Sequence, residues 1–512
     1  MEGLISGKFY RWVVLGIVMM GTFMAILDSS IVNVALPHMM SAFGVNRDQI
    51  QWVSTSYMIS LAVSMTTVGW TVRRIGNKVF YLGALTIFVL GSAACAFAWN
   101  FDAMIFSRVI QAIGGGAIQP VGMSIIAELF EPHERGKALG LWGTGVMLGP
   151  AIGPTLGGYL CDWFNWRTIF SINIPFGIIT IITGLIIIMN DYKNRRDETP
   201  FDFKGFLFLS IGLVGALIAL ANGEDKGWTS DYILICYACA FAGITLFVAA
   251  ELSAPHPLFD LGLLRFRNYT LALLLGITRA VGLFGGVFLL PIFLQNIAGY
   301  TTIQTGLLMM PGAVFLGIVM PFIGHLSDKI GPKWLVTIGV VITGGSLLFY
   351  GKLDPSMSRF MIIMPQIVRA LGLGLMMAPL ITTAINSVPK NQIATASSFL
   401  NIAQSVGGAF GIAILNTFVT RLIHLHAVRI GELTGTLPEL YTRLKQNPAS
   451  AISQHVAGLS SGSNQMLSEI SSLISLKASV LGFENGFVIA GLIVLASIPL
   501  SLMLKNEKHR KR

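Results

Sequence analysis

Long apolar runs, separated by short polar stretches, organise this chain. A helix needs about 20 consecutive apolar residues to cross the hydrocarbon of a bilayer. On that rule spans are predicted near 12–36, 51–72, 79–99, 103–128, 138–161, 168–190, 204–222, 231–252, 269–295, 303–326, 334–351, 359–385, 395–420 and 481–504, about fourteen in all. No period-two alternation runs through them. Backbone in lipid must satisfy its own hydrogen bonds, so the spans are read as helices rather than barrel strands. The expected fold is an all-α polytopic membrane protein. The first apolar stretch is long, lacks a small-residue cleavage site and runs into an Asp-bearing motif, so no cleavable signal peptide is expected.

Composition agrees with this reading. Of 512 residues, 54% are hydrophobic and 11% charged, too little charge to cover a soluble protein of this length. The net charge of +10 would point to nucleic acid in a soluble chain. Here the basic residues sit in short loops, so the lipid bilayer is the expected partner and nucleic acid is not. One set of alternate loops holds Arg11, Arg73, Arg74, Lys78, Arg135, Lys137, Lys193, Arg195, Arg196, Arg265, Arg267, Lys329, Lys333 and Lys390. The other set holds far fewer: Arg47, Arg167, Lys226, Lys352 and Arg359. Positive residues stay inside, which places both termini in the cytoplasm and requires an even number of spans. The four cysteines, Cys95, Cys161, Cys236 and Cys239, lie in or beside apolar segments and are read as packing residues. No His or Cys set has metal-ligand spacing, and no phosphate-binding loop is present. Neither a metal, nor a nucleotide cofactor, nor enzyme chemistry is expected.

Two loops resemble each other. Gly69-Trp-Thr-Val-Arg73-Arg74-Ile-Gly76-Asn-Lys78 and Gly324-His-Leu-Ser-Asp328-Lys329-Ile-Gly331-Pro-Lys333 each follow the second helix of a six-helix unit. The repeat divides the chain into an N-terminal six-helix bundle (1–190), an inserted transmembrane helix pair with flanking loops (191–264) and a C-terminal six-helix bundle (265–512). Such repeats carry a site near the membrane midplane between bundles and work by rocking. Gly69, Gly76, Gly324 and Gly331 permit tight turns and close approach, and Asp328 can lock helix ends. Residues 421–480 read as a loop on the outer face. Within it Met466, Ile470, Leu473 and Lys477 recur at helical spacing.

The intramembrane polar residues are the candidate chemistry. Asp28 lies in an apolar span, where a charge costs several kcal/mol unless paired. Desolvation favours a neutral acid and a nearby cation favours the anion; a carboxyl held between the two can exchange a proton. Arg108 in the fourth span keeps its charge and cannot itself carry the proton. A helix-end position for Asp28 and snorkelling for Arg108 stay open. Asn33, Gln111, Gln119, Arg279, Arg369, Gln404 and Glu484 are further candidates to touch a substrate. Gly145, Gly149, Gly153 and Gly157 leave a groove along one face of the fifth span, which Pro150 and Pro154 bend.

In order along one chain, several motifs resemble the major facilitator superfamily, in particular its fourteen-helix drug:proton antiporters of the EmrB/QacA type. They are Leu27-Asp28-Ser29-Ser30-Ile31-Val32-Asn33-Val34-Ala35-Leu36-Pro37, Arg108-Val-Ile-Gln111-Ala-Ile-Gly114-Gly-Gly116, and Gly145 through Gly158 with its two Gly-Pro steps. Trp166-Arg167, Asn173-Ile-Pro175, Asp260 and Leu290-Pro291 add to them. One position departs: Arg73 stands where the family's first loop usually has an acid, and Asp328 keeps that acid in the second. The resemblance implies the major facilitator fold, proton coupling through Asp28 and Arg108, and antiport. It also implies the inner membrane of a two-membrane bacterium, with a periplasmic adaptor and an outer-membrane channel as partners. The expected function is proton-coupled export of small amphiphilic or drug-like molecules, driven by the proton gradient without a cofactor. Two alternatives are export of one endogenous lipid or metabolite, and a non-transporting sensor or scaffold. Retention of Asp28 and Arg108 and the lack of a soluble domain count against the sensor.

Overall fold

A computed structural model describes residues 8–189, 199–433 and 461–505. Among these residues every regular element is helical. The long helices are α1 (Lys8–Phe43), α2 (Trp52–Thr66, continued by Val68–Ile75), α3 (Asn77–Ala96), α4 (Phe101–Leu129), α5 (Arg135–Trp163), α6 (Asn173–Ile187), α7 (Phe203–Lys226), α8 (Asp231–Ser253), α9 (Arg267–Asn296), α10 (Thr302–Ile330), α11 (Pro332–Phe349), α12 (Arg359–Asn386), α13 (Ile393–Leu433) and α14 (Ser461–Leu495). Twelve stretches of the described chain are long and apolar enough to cross a membrane. The two other long helices are α2, which is interrupted at Thr67, and α5, which is rich in Gly and Pro. Large apolar side chains such as Leu90, Ile186, Ile235 and Phe241 are exposed, as lipid-facing residues are.

Local sequence starts several of these helices. The Asn100 side chain accepts from the Ala103 amide at the start of α4, and Thr301 and Gln304 form a capping box on α10. At the repeated loops, Gly76 (φ 83, ψ 162) and Gly331 (φ 87, ψ 165) adopt the same backbone, one open essentially to glycine alone. Each ends one helix and starts the next, so the two loops turn alike.

Helix α5 joins the two halves. Its glycines at 145, 149, 153 and 157 face α1, against Met19, Ile26, Ser30 and Ile31. The first helix fills the predicted groove. A different face of α5 meets α10: Gly140 lies against the Met320 carbonyl, and Thr144 Oγ1 donates to the Gly317 carbonyl (2.8 Å). Across the molecule α2 packs on α13 in the related arrangement. The inserted helices α7 and α8 meet at Gly212, Gly215 and Gly243, and α7 lies against α2 and α13.

The last two helices differ from expectation. The predicted loop 421–480 is helical over 421–433 and again from Ser461; residues 434–460 lie outside the described residues. At 1.5 Å per residue, the 41 residues of α13 run about 60 Å, twice the hydrocarbon thickness. The extension continues the packing of α13 against α14 past the predicted span end at 420. Gly482 meets Ile423, Gly486 meets Val419, and His426 Nε2 and Asn485 Nδ2 lie 2.9 Å apart. The predicted stripe is also displaced: Leu473 is 63% exposed, and Ile474 and Ala478 form the buried side.

Gly149 and Gly158 test this packing. A Cβ at Gly149 would lie 2.9 Å from the Ile26 side chain and 3.0 Å from the Leu27 nitrogen, whereas at Gly158 it meets nothing within 4 Å. Gly149→Leu is expected to destabilise the purified protein by about 1–3 kcal/mol, read as a lowered melting temperature. Gly158→Leu should leave it unchanged.

Candidate functional site

The polar centre of the first half is assembled from five helices. Close approach comes first: a Cβ on Gly91 of α3 would lie 2.5 Å from the Gln111 Cα of α4. That contact brings Ser92 and Cys95 against Gln111. Arg108 lies about 10 Å, and Asp28 about 22 Å, from the ends of α4 and α1 that lie opposite the Lys/Arg-rich loops. Both are buried, at 1% and 0% exposure, so Asp28 is no helix-end residue and Arg108 does not snorkel.

Their geometry is that of a closed, hydrogen-bonded ion pair. Arg108 Nη1 donates to Asp28 Oδ2 at 2.6 Å and to Gln111 Oε1 at 2.6 Å. Gln111 Nε2 donates to Asp28 Oδ1 (2.8 Å) and to Ser92 Oγ (2.7 Å). Asn173 Nδ2, from α6, also donates to Asp28 Oδ1 at 2.8 Å. Arg108 Nε reaches the Val53 carbonyl at 3.2 Å, and the guanidinium lies 3.9 Å from the Tyr57 ring centre. Short charge-assisted bonds of this kind offset the several kcal/mol that each ion loses in leaving water. Asn173, Ser92 and Tyr57 complete the site although the linear pattern does not mark them as candidates. The Asn173-Ile-Pro175 motif was the one local signal for the first of them.

The other predicted residues lie elsewhere. Asn33 is exposed on α1 beside Ser29, and its Oδ1 accepts from Ser54 Oγ at 3.1 Å. Gln119 is half-buried on α4, and Glu484 half-buried on α14. Arg279 on α9 bonds Gln404 Oε1 on α13. Arg369 on α12 bonds Gln366 Oε1 and the carbonyls of Leu283 (3.1 Å) and Gly282 (3.4 Å) on α9. None of these joins the Asp28 centre.

The repeated loops sit where the halves meet, at the basic end. Asp328 accepts from the Gly136 amide (3.0 Å, Oδ1) and the Lys137 amide (3.1 Å, Oδ2), so an acid from α10 caps the first turn of α5 in the other half. A Cβ on Gly324 would collide with the Gly136 carbonyl. Arg135 Nη1 reaches Asn386 Oδ1 at 2.7 Å. At the related place Arg73 Nη1 donates to Thr395 Oγ1 on α13 (3.1 Å), and Gly69 lies against the same threonine. With no acid in that loop, the flanks of the inserted pair contribute further ties. Gln392 Nε2 donates to Asp260 Oδ2 (2.7 Å), and Trp70 Nε1 donates to the Thr199 carbonyl (3.1 Å) and stacks edge-on against Phe201. Ser398 of α13 donates to the Met65 carbonyl of α2, closing the seam from this end.

Among the described residues, no group of three His, Cys, Asp or Glu side chains is placed to hold a metal ion. A family profile described as Major Facilitator Superfamily matches residues 18–412. The chain is 32% identical to the uncharacterized MFS-type transporter YhcA of Bacillus subtilis, over 97% of this chain and 93% of that one. It is 31% identical to the multidrug export protein EmrB of Escherichia coli, over 81% of each. A crystal structure of the human organic anion transporter MFSD10 (TETRAN) superposes with a TM-score of 0.60 at 13% identity, covering 96% of this chain and 99% of that one.

Two outcomes follow from the geometry. Asp28→Leu alone strands a buried guanidinium and is expected to cost about 3–5 kcal/mol, whereas Asp28→Leu combined with Arg108→Met should recover most of it. Thermal unfolding of the three proteins in detergent checks this. Asp328→Ala removes the acid that caps α5 from the other half, whereas Arg73→Ala leaves the ties of Trp70, Gln392 and Ser398 around its own loop in place. A cysteine placed at the buried Met320 should therefore become more reactive toward a water-soluble maleimide in the Asp328→Ala background than in the Arg73→Ala background; equal reactivity would contradict the asymmetry.

Proposed function

This chain belongs to the major facilitator superfamily and is a membrane transport protein, and from that premise we propose that it is a proton-coupled antiporter that exports small amphiphilic molecules. The observation that carries the reading is the Asp28 carboxylate, held inside the first half by Arg108, Gln111 and Asn173. Protonating it would cancel the charge that Arg108 balances and loosen α1 from α4 and α6. Two protonation states would then weigh two helix arrangements differently, which is what coupling a proton to a conformational change requires. The exposed Ser29 and Asn33 on the next turns of α1 offer the proton a polar approach.

In this reading the basic end is cytoplasmic, with both termini, in the inner (plasma) membrane. Asp328 and the ties around Arg73 hold that end shut while substrate leaves from the other. The drug-export names of the relatives support outward transport of amphiphiles, and the proton gradient is the energy source. The periplasmic adaptor and outer-membrane channel belong to the same proposal. They would meet the protruding ends of α13 and α14, where Leu425 and Leu473 are exposed.

The test is purified protein in liposomes under an imposed pH gradient, with a panel of cationic, neutral and acidic amphiphiles. Asp28→Asn keeps the shape of the side chain and loses the exchangeable proton. Gradient-driven export is expected to fall to the protein-free background in this variant. Full gradient-driven export by Asp28→Asn would remove Asp28 from the mechanism.

A further inference from the structure

The two halves treat their buried arginines differently. Leu36-Pro37 on α1 and Leu290-Pro291 on α9 set a common register, in which Gly282 stands where α1 has Asp28. Gly114 on α4 and Gly372 on α12 set another, in which Arg108-x-x-Gln111 becomes Gln366-x-x-Arg369. The second half thus keeps an arginine and a glutamine at the corresponding level, in reversed order, and has lost the acid. Arg369 reaches the Gly282 and Leu283 carbonyls instead of a carboxylate. Arg279, one turn earlier on α9, has Gln404 Oε1 as its hydrogen-bond partner. Among the described residues no carboxylate pairs with either arginine, and both are 5% exposed. Arginine does not shed its proton in such a place. The second half therefore holds two buried positive charges without an anion, where the first half holds a neutral pair.

Arg279 is the one placed to meet a ligand. It lies about 18 Å into α9, and Gln404 about 17 Å into α13, so both sit near mid-depth. Just toward the basic end, α13 is still held to the first half: Asn401 Nδ2 lies 3.3 Å from Met123 Sδ on α4. One turn beyond Asn401, Gln404, Ser405 and Val406 are half-buried. On α9, Leu283 and Val287 continue the face of Arg279 and are half-buried as well. Arg279 and Gln404 therefore join α9 to α13 near mid-depth, about one turn along α13 from its Asn401 contact with the first half.

We propose that Arg279 binds the negatively charged head group of the transported molecule, so that the substrates are amphiphilic anions such as carboxylates. The proposal rests on the export reading for the word transported. The guanidinium fork takes a carboxylate through two parallel bonds, and Gln404, released from Arg279, can turn its amide N–H groups to the same head group. The apolar body lies along Leu283 and Val287. A cationic amphiphile meets two uncompensated like charges and is rejected.

The probes are 8-(2-naphthyl)octanoate, its trimethylammonium twin and its methyl ester, titrated against the purified full chain in detergent. The carboxylate is expected to bind at least about tenfold more tightly than the ammonium twin. Arg279→Gln should abolish that preference and leave the methyl ester's affinity unchanged, and Arg279→Lys should retain part of it. Gln404→Glu supplies an internal anion. It should raise the melting temperature while removing carboxylate binding, which keeps the test decisive if Arg279→Gln does not fold. Equal or tighter binding of the ammonium twin by the unaltered protein, or a preference that survives both Arg279→Gln and Gln404→Glu, overturns the proposal. Flux of the same probes in liposomes judges export separately: if none of them crosses, the export reading fails, while binding alone decides the anion site.

Discussion

Two apolar helices in lipid have no hydrophobic reason to prefer each other to the acyl chains around them, so close backbone contact must hold the fold together. Helix α5 supplies that contact twice. One row of glycines takes in α1, and a second face, with Gly136 and Gly140, takes in α10 from the other half. The first contact holds the helix that carries Asp28. The second holds the helix that carries Asp328. A change in the tilt of α5 would reach both the buried ion pair and the basic-end closure, because its glycines bring both neighbouring helices close.

Charge inside the membrane is distributed with equal economy. In the first half an acid, an arginine and two amides satisfy one another within a few ångströms, leaving the guanidinium paired and stacked on Tyr57. In the second half the same architecture places arginines against amide oxygens and backbone carbonyls. Neutral acceptors satisfy the donors of a guanidinium without cancelling its charge. The two halves thus hold one centre whose opposite charges face each other, and another whose positive charges meet only neutral acceptors among the described residues.

The inserted helix pair is more than a spacer. Its flanks tie to the basic end of α2 and to the start of α13, through Thr199 and Phe201 with Trp70 and through Asp260 with Gln392. The other end of α7 reaches the far part of α13, where Trp228 Nε1 donates to Thr417 Oγ1 at 3.0 Å and Glu224 accepts from Asn416 and Thr420. One face of the α2–α13 seam is thereby covered along much of its length. Among the described residues the α5–α10 seam, packed backbone to backbone, has no such inserted pair against it.

The helix content, the approximate number of spans and the repeated loops were legible in the chain, because the cost of unpaired backbone and of charge in hydrocarbon acts on each segment alone. So was the prominence of Asp28 and Arg108, since any ionisable residue in such a run stands out. Local pattern could not show that Gln111, Ser92 and Asn173 would close around that carboxylate; these side chains come from three helices whose meeting depends on Gly91 and its neighbours in space. Nor could it show that Leu473 faces outward, or that α13 and α14 run on past the predicted spans. Span prediction stops where hydropathy falls, whereas a helix stops where its packing does. That Arg279 and Arg369 meet no acid among the described residues was likewise decided by tertiary structure: a sequence displays every charge along the chain, but only the fold sets which opposite charges come within reach.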